Sequence, residues 1–517
     1  MKKYLKKYHK ELLFLLLLVT FFSFSVIITY DSSHYMSYVN ILKGNLAFST
    51  WDIVRGPIFP FLIFGGIFLF GETIQGLLIL FFIFYLLYAY LVYAFATKIL
   101  QNRLVRWIVI LFCLLNPMIF GYFHTLLTEF VAITFAMLSC YLACLWWNEK
   151  DAKKRNAYSL FFIFAMAFAW LLKQPYICCA FFPMVISAIF AIVKNHTWKN
   201  IRYYIGVCVL SLSFMIIAIF SWNQILIYHG VDMNTGRDSS SMLSSQLMLG
   251  VQYFEYDFDF DFNSYDSNSF LSTNEKNYIR NHLNENQDNL KIINIYNHNQ
   301  LVDLDVISVD ENGNPSTTSV ILQIIKTFFK HPTIIIKSYL KNYCALSSVC
   351  SISSSDGVSY HVTNQLELID TYEHQIIAYR TFDDNVSNRF SLSEYGYSFT
   401  NNLAQQNQLG IFALFFQSLE KPTNVIFKLT ILLLPIALLT LIIFRIIKRK
   451  KLQKYSLYVM SFILLGYSFL TVLANAVSGS IIDRYAINSF IPGLFGIITL
   501  IVWIIENVKT PQLKKNK

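Results

Sequence analysis

Charged side chains are scarce in this chain of 517 residues, of which only 14% are Asp, Glu, Lys or Arg. A soluble globular protein averages about 25% charged residues, which cover its aqueous surface. Hydrophobic residues make up 55% of the chain and aromatic residues 17%. The composition therefore excludes an ordinary water-soluble domain and predicts a polytopic membrane protein.

Two familiar patterns are also missing from the sequence. No Gly-rich loop ending in Lys-Ser or Lys-Thr is present, which argues against ATP hydrolysis. The eight cysteines do not indicate a disulfide framework, because six lie in or beside apolar runs. Only Cys344 and Cys350 fall together in a polar region, where a disulfide bridge and two free thiols both remain open.

Ten apolar stretches approach the roughly 20 residues that a helix needs to cross a hydrocarbon core of about 30 Å. They predict membrane-spanning helices at residues 12–29, 74–96, 107–123, 130–147, 160–172, 176–193, 201–222, 424–446, 457–475 and 487–505. A signal peptide is the rival interpretation of the first stretch, but "SVIITYDSS" lacks a small-x-small cleavage site. We therefore expect a retained first span and an all-α membrane fold.

Lysine and arginine accumulate on one side of this ten-span topology. The basic segments are "MKKYLKKYHK", "TKILQNRLVR", "NEKDAKKR", "VKNHTWKNIR", "FRIIKRKKLQK" and "KTPQLKKNK". Because cationic loops stay on the cytoplasmic side, both termini are predicted to be cytoplasmic in the cell membrane. The net charge of +10 then faces anionic lipid headgroups, and no nucleic-acid partner is expected.

The same topology divides the chain into three regions. Residues 1–222 form an N-terminal transmembrane module whose first outer loop, 30–72, is one of the two outer segments where chemistry is expected. Residues 223–422 form a large extracytoplasmic region, and residues 423–517 form the C-terminal transmembrane helices. Alternation in "YFEYDFDFDFN" predicts a strand and "SVILQIIKTFFKHPTIIIKSYLKNY" predicts an amphipathic helix, so the large region is expected to be mixed α/β.

The first outer loop contains an ordered set of polar residues and prolines. Asp31 follows the first span, an amphipathic segment "HYMSYVNILKGN" comes next, and Arg55 then precedes "GPIFP". This order resembles the membrane glycosyltransferases of the GT-C class, particularly the bacterial relatives of protein O-mannosyltransferases and of the aminoarabinose transferase. In that family an acid opens the first outer loop, and a basic residue precedes its prolines.

Three further motifs resemble the same family. "NPMIFGYFHTLLTEF" is similar to its second outer turn and puts Glu129 at the acidic position. "LLKQPY" is similar to a later motif in which a basic residue precedes proline, here Lys173. "IIDRYAINSFIPGLFGIITL" is similar to the Arg-Tyr signature that opens a C-terminal span, here Arg484 and Tyr485.

The chain departs from the family in two places. Ser32 and Ser33 follow Asp31, where the family usually has a Glu that could share a metal with the acid. The large outer region has only a loose likeness, in "FFKHPTIIIKSYLKN", so the resemblance does not imply an acceptor. A teichoic acid, another glycan, a lipid and a protein all remain open.

The resemblance implies transfer of a sugar from a polyprenyl-phosphate donor to an extracytoplasmic hydroxyl. A single carboxylate, Asp31, is the predicted general base, which implies inversion at the anomeric carbon. Arg55, Arg484 and Lys173 are the predicted ligands of the donor phosphate, because fixed cations stabilise a leaving group that gains negative charge. For each cation the alternative is an interfacial side chain that reaches lipid headgroups.

Four more residues are candidates for orienting the sugar or the acceptor: Glu129, His34, Tyr35 and Tyr485. Glu129 and His34 could also share a divalent cation if their loops meet, so the metal content stays open. Asp52 is a weaker second acid. Two other function classes remain: a lipid-linked glycan transporter or flippase, and a surface-polysaccharide polymerase or ligase. The polar residues gather near span ends rather than at the bilayer midplane, which disfavours a transporter.

Overall fold

The computed structural model describes residues 8–24, 26, 30–53, 55–231, 411–447, 454–477 and 483–513, with seven isolated positions between 329 and 344. Within these residues the backbone forms thirteen α-helices, two short 3-10 helices and no strand. The α-helices are α1 (His9–Phe21), α2 (Tyr30–Leu42), α3 (Ile58–Phe70), α4 (Ile74–Ile99), α5 (Arg103–Leu114), α6 (Pro117–Tyr122), α7 (Glu129–Trp146), α8 (Ala152–Leu172), α9 (Ile177–Lys194), α10 (Trp198–Tyr228), α11 (Ile411–Ile447), α12 (Tyr455–Val477) and α13 (Asp483–Leu513). The 3-10 helices are Phe48–Thr50 and Gln174–Tyr176.

Eight helices of the described chain are long and apolar enough to cross a membrane: α4, α7, α8, α9, α10, α11, α12 and α13. They confirm the prediction of an all-α, multi-pass membrane protein. α7 lies inside the bundle, since 78% of its membrane-length segment is buried, whereas only 17% of the α10 segment is buried. The exposed residues of α10 are largely apolar, as expected of a lipid-facing helix.

Two of the ten predicted spans are not single long helices. The stretch 12–29 contains α1, which ends at Phe21 and is only 13 residues long. The stretch 107–123 is divided into α5 and α6, because the Asn116 side chain accepts a hydrogen bond from the Ile119 amide and Pro117 begins the second helix. A proline lacks the amide that would continue the first helix, so the break follows from these two residues.

The predicted outer loop 30–72 is largely helical. It contains α2, a 3-10 helix and the apolar helix α3. Phe59 and Ile63 of α3 are fully buried, so this segment packs into the bundle. The sequence did not predict α3 as a span because its 13 residues are too few to cross a bilayer unaided.

Basic residues meet at one end of the bundle, here called the basic end. Lys194, at the end of α9, donates to Asn148 Oδ1, and its Nζ lies 4.8 Å from the ring centre of Trp147. The Trp147 ring lies 5.8 Å from that of Tyr455 at the start of α12, and Arg445 of α11 lies over Tyr455 as well. The ends of α7, α9 and α11 and the start of α12 are therefore neighbours. That this end faces the cytoplasm stays a prediction.

Most of the large region 223–422 lies outside the described residues, including the predicted strand and Cys350. The question of a Cys344–Cys350 bridge lies outside them too. Tyr343 is helical, and its hydroxyl donates to the carbonyl of Ile431 in α11 at 2.7 Å. Its ring centre lies 6.0 Å from that of Phe469 in α12. This position of the predicted amphipathic helix thus packs against the C-terminal helices.

Small residues bring α12 and α13 close together. Ser461 Oγ of α12 donates to the carbonyl of Gly496 in α13 at 3.0 Å. A Cβ atom at Gly496 would lie 2.8 Å from Leu465 Cγ and 3.0 Å from the Leu465 backbone nitrogen. Helices without a hydrophobic drive between them associate through this kind of close packing.

We expect Gly496→Ala to lower the thermal unfolding temperature in detergent, because the added methyl must displace Leu465. Overpacking of this kind costs about 1–3 kcal/mol, which exceeds the gain in helix propensity. Gly206→Ala is the matched control, since nothing lies within 4 Å of a Cβ at Gly206 in α10. Equal unfolding temperatures for the two variants, followed by tryptophan fluorescence, would contradict the close packing.

Candidate functional site

The predicted site residues lie at the end of the bundle opposite the basic end, here called the site end. At this end α7 begins at Glu129, α8 ends at Leu172 and α9 begins at Ile177. The structure describes the side chains of four predicted site residues at this end: Tyr35, Arg55, Glu129 and Lys173.

Glu129 and Lys173 form an ion pair at the site end. Glu129 Oε1 lies 3.8 Å from Lys173 Nζ, and the two side chains are 1% and 14% exposed. Glu129 is the first residue of α7, where the helix dipole favours a negative charge. The other carboxylate oxygen, Oε2, accepts a hydrogen bond of 3.3 Å from Thr128 Oγ1.

A tight turn after α8 holds Lys173 beside Tyr176. The backbone becomes extended at Lys173 and then forms the 3-10 helix Gln174–Tyr176, which contains Pro175. The Tyr176 amide donates to the Lys173 carbonyl at 2.9 Å, and Lys173 Nζ lies 5.9 Å from the centre of the Tyr176 ring. Tyr176 OH lies 3.2 Å from Thr128 Oγ1. One turn therefore contacts the start of α7 at two points.

Arg55 is held by aromatic residues of the first 72 residues. Its Nη1 donates to Tyr35 OH at 3.2 Å, and its guanidinium carbon lies 5.5 Å from the centre of the Tyr35 ring. The Trp51 indole donates to the Arg55 carbonyl at 3.0 Å. Tyr35 is buried, with its ring centre 4.6 Å from that of Phe59 in α3. The predicted substrate-orienting Tyr35 thus supports the predicted phosphate ligand Arg55.

Two close contacts join the first motif to the next two. Gly56 approaches the end of α8 so closely that a Cβ would lie 1.9 Å from the Leu171 carbonyl oxygen. Ser32 Oγ, in the first turn of α2, donates to the Leu126 carbonyl at 2.9 Å. Arg55 is therefore adjacent to the Lys173 turn, and Asp31 is adjacent in sequence to a residue that contacts the turn before Glu129.

A buried histidine fixes the turn between α6 and α7. His124 is fully buried, with Nδ1 2.9 Å from the Phe120 carbonyl oxygen and Nε2 3.0 Å from the Phe21 carbonyl oxygen. Burial lowers the pKa of His124 to about 4, while its contacts with the two carbonyl oxygens act in the opposite direction. The end of α1 is thereby placed against the turn that leads to Glu129.

The fourth motif opens α13, which begins at Asp483, so Arg484 and Tyr485 belong to its first turn. One turn later, Asn488 Nδ2 donates to Cys179 Sγ at 3.3 Å. Cys179 lies in the first turn of α9, three residues after Tyr176. The start of α13 is therefore at the site end, with the other three motifs.

The side chains of Asp31, His34, Arg484 and Tyr485 lie outside the described part of the structure, so only their helical positions are known. Among the described side chains no group of three His, Cys, Asp or Glu residues is placed to hold a metal ion. A cation held jointly by Glu129 and His34 remains untested.

Two site residues were missed by the sequence reasoning, Thr128 and Tyr176. Each flanks a predicted residue in the motifs "LLTEF" and "LLKQPY", which is the only signal that could have selected them.

Asp52, the weaker second acid, is exposed. Burial raises the pKa of its neighbour Tyr38 well above the ordinary value, and the charge of Asp52 adds to that shift. Tyr38 therefore stays a neutral phenol.

We expect Gly56→Ala to displace Arg55 from the Lys173 turn and to lower the unfolding temperature, because the methyl would overlap the Leu171 carbonyl. Strain of this kind costs about 1–3 kcal/mol or more. Gly65→Ala in α3 is the control, since a Cβ there meets nothing within 4 Å. Thermal unfolding and crosslinking of residue 55 to residue 173 provide the measurements. An unchanged crosslinking yield in Gly56→Ala would contradict the contact.

No protein-family model matches the chain, and no curated protein or solved structure is significantly similar to it. The likeness to GT-C glycosyltransferases accordingly rests on the four sequence motifs alone.

Proposed function

We propose that the protein is a membrane glycosyltransferase of the GT-C type, which moves a sugar from a polyprenyl-phosphate donor to a hydroxyl acceptor on the extracytoplasmic side. The observation that carries this proposal is the convergence of four motifs at one end of the bundle. The first motif begins at Asp31 and the fourth contains Arg484, so the motifs are spread over nearly the whole length of the chain. An acid or a basic residue could stand at each of four span ends by chance. Contacts between the segments that carry these residues are a second, separate observation in favour of a shared site.

Arg55, Lys173 and Arg484 bind the donor phosphate in this proposal. The guanidinium of Arg55 is held by Tyr35, so its orientation is set before a ligand binds. As the bond between the anomeric carbon and the phosphate oxygen breaks, the phosphate gains negative charge. Fixed cations then lower the barrier more than they strengthen ground-state binding.

Asp31 is the proposed general base. It takes the proton of the acceptor hydroxyl while that oxygen attacks the anomeric carbon, and polyprenyl phosphate leaves from the opposite face. The acceptor loses one proton and gains the sugar, and the anomeric configuration inverts. Proton transfer of this kind contributes about 10²- to 10⁴-fold to the rate. The reaction requires no covalent intermediate.

Glu129 is the proposed ligand of a sugar hydroxyl, and His34 and Tyr485 are proposed to orient the sugar or acceptor. A carboxylate that is 1% exposed and paired with Lys173 is costly to bury. Its value therefore lies in recognition more than in stability. The distribution of Lys and Arg, which marks the basic end as cytoplasmic, puts this site on the extracytoplasmic side in the proposal.

We expect Arg55→Ala to lose a co-purifying polyprenyl-phosphate sugar that the wild-type protein retains in native mass spectrometry. Arg445→Ala is the control, because Arg445 likewise lies over an aromatic ring, at 5.7 Å from Tyr455, but at the basic end. Arg445→Ala should retain the donor. Equal binding of bulk phospholipid by all three proteins, with no polyprenyl lipid, would contradict the donor assignment.

We expect Asp31→Asn to retain the donor and to reduce sugar transfer by about 10²-fold or more, as removal of a general base does. The assay follows release of polyprenyl phosphate when the protein is incubated with cell-envelope acceptors. Asp151→Asn at the basic end is the control, since Asn can replace the Asp cap of α8. Full transfer by Asp31→Asn would remove Asp31 as the base. Movement of the intact donor between leaflets without release would identify a transporter instead.

A further inference from the structure

Thr128 occupies the cap position of α7 but does not cap it. A threonine before a helix ordinarily accepts a hydrogen bond from a backbone amide of the first turn, which stabilises the helix by about 1 kcal/mol. Thr128 makes no such bond, and its backbone is helical rather than extended. Its hydroxyl instead contacts Glu129 and Tyr176. The side chain forgoes a stabilising interaction for contacts within the site.

The single hydroxyl hydrogen of Thr128 determines the direction of these bonds. Thr128 donates to the carboxylate oxygen Oε2 of Glu129, which can only accept when ionised. Either oxygen could donate in the 3.2 Å contact between Thr128 and Tyr176 OH; with the one Thr128 hydrogen directed to Glu129, the phenol is the donor. The result is a directed chain in which Tyr176 donates to Thr128 and Thr128 donates to Glu129.

The chain is shielded from water at all three residues. Thr128 is fully buried, and Glu129 and Tyr176 are each 1% exposed. A hydrogen bond to a charged group is stronger in such surroundings than in water, and bonds in series polarise one another. Lys173 and Tyr176 belong to the same turn, so this turn contacts both carboxylate oxygens, Oε1 through the ammonium and Oε2 through Thr128.

We propose that Tyr176 and Thr128 are positioning residues that fix the orientation of the Glu129 carboxylate. The ion pair between Glu129 Oε1 and Lys173 Nζ is long, at 3.8 Å, and by itself restrains the plane of the carboxylate only weakly. With Oε2 held by Thr128, the plane of the group is set relative to Lys173. In the reaction proposed above, on which this role rests, a fixed plane aligns Glu129 with one sugar hydroxyl. The two hydroxyls thus act on specificity and rate and do not touch the donor phosphate.

The first test needs no substrate. The carboxylate stretching band of Glu129 is assigned by infrared difference spectroscopy between the wild type and Glu129→Gln. We expect Thr128→Val and Tyr176→Phe to shift that band, while Thr128→Ser leaves it in place because the hydroxyl is retained. Thr134→Val is the control in the same helix, since Thr134 donates to the Phe130 carbonyl at 2.9 Å. An unshifted band in folded Thr128→Val would overturn the proposal.

The second test uses sugar transfer. Thr128→Val and Tyr176→Phe should each lower kcat about tenfold through misalignment, with donor affinity unchanged and near-complete rescue in Thr128→Ser. Because the two act in one chain, the double variant should lose little more than either alone. Tyr204→Phe is the control, because Tyr204 OH donates to the Trp146 carbonyl at the basic end. Additive losses, or equal losses in Thr128→Ser and Thr128→Val, would overturn the chain.

The two tests fail separately. A wild-type protein that transfers no sugar while the Glu129 band still responds to Thr128 would refute the glycosyltransferase and keep the positioning chain. Sugar transfer that is indifferent to Thr128 and Tyr176 would refute the chain and keep the enzyme. If Glu129→Gln does not fold, a double-mutant cycle replaces the infrared measurement. It compares the thermal stability lost in Thr128→Val, in Tyr176→Phe and in the double variant. Additive losses would count against the chain.

Discussion

Polar groups inside an apolar bundle have no water to bind, so each must find its partner within the protein. Several polar groups in the turns of the site end meet this requirement. Asn116 accepts the amide that the break before α6 exposes, and His124 and Ser32 contact backbone carbonyls of neighbouring segments. The Asn116 bond is local, whereas those of His124 and Ser32 reach residues about 100 positions away in the chain. The bonds of His124 and Ser32 thus place the end of α1 and the start of α2 against the turn that leads into α7.

The site end also contains a buried ion pair, between Glu129 and Lys173. A buried ion pair rarely stabilises a fold, because the loss of hydration offsets its attraction. Glu129 and Lys173 are nevertheless paired at 3.8 Å with one side chain almost fully buried. Ionisable residues held inside a membrane bundle are by default candidates for a functional site. Their supports are the 3-10 turn Gln174–Tyr176 and the Thr128 hydroxyl, both of which contact the start of α7.

Hydropathy predicted the long helices because it measures what a bilayer requires, about 20 apolar residues in succession. It failed where a local interaction outweighs the average over a window. Asn116 and Pro117 end one helix and begin another inside an apolar run, and α1 ends at Phe21 although apolar residues continue. α3 is apolar but too short to be selected, and it becomes a buried element only because α2 and the rest of the bundle cover Phe59.

The amino-acid sequence by itself determined that this is an all-α membrane protein, since composition and run length leave few alternatives. It also selected Arg55, Glu129 and Lys173 as candidate site residues, because each stands in a motif at a span end. Only the tertiary structure decided that Glu129 pairs with Lys173 and that Gly56 lies against Leu171. It alone revealed the contacts of Thr128 and Tyr176, because their positions within the motifs do not show what their hydroxyls contact. Which partner a hydroxyl contacts depends on segments far apart in the chain, and packing alone brings those segments together.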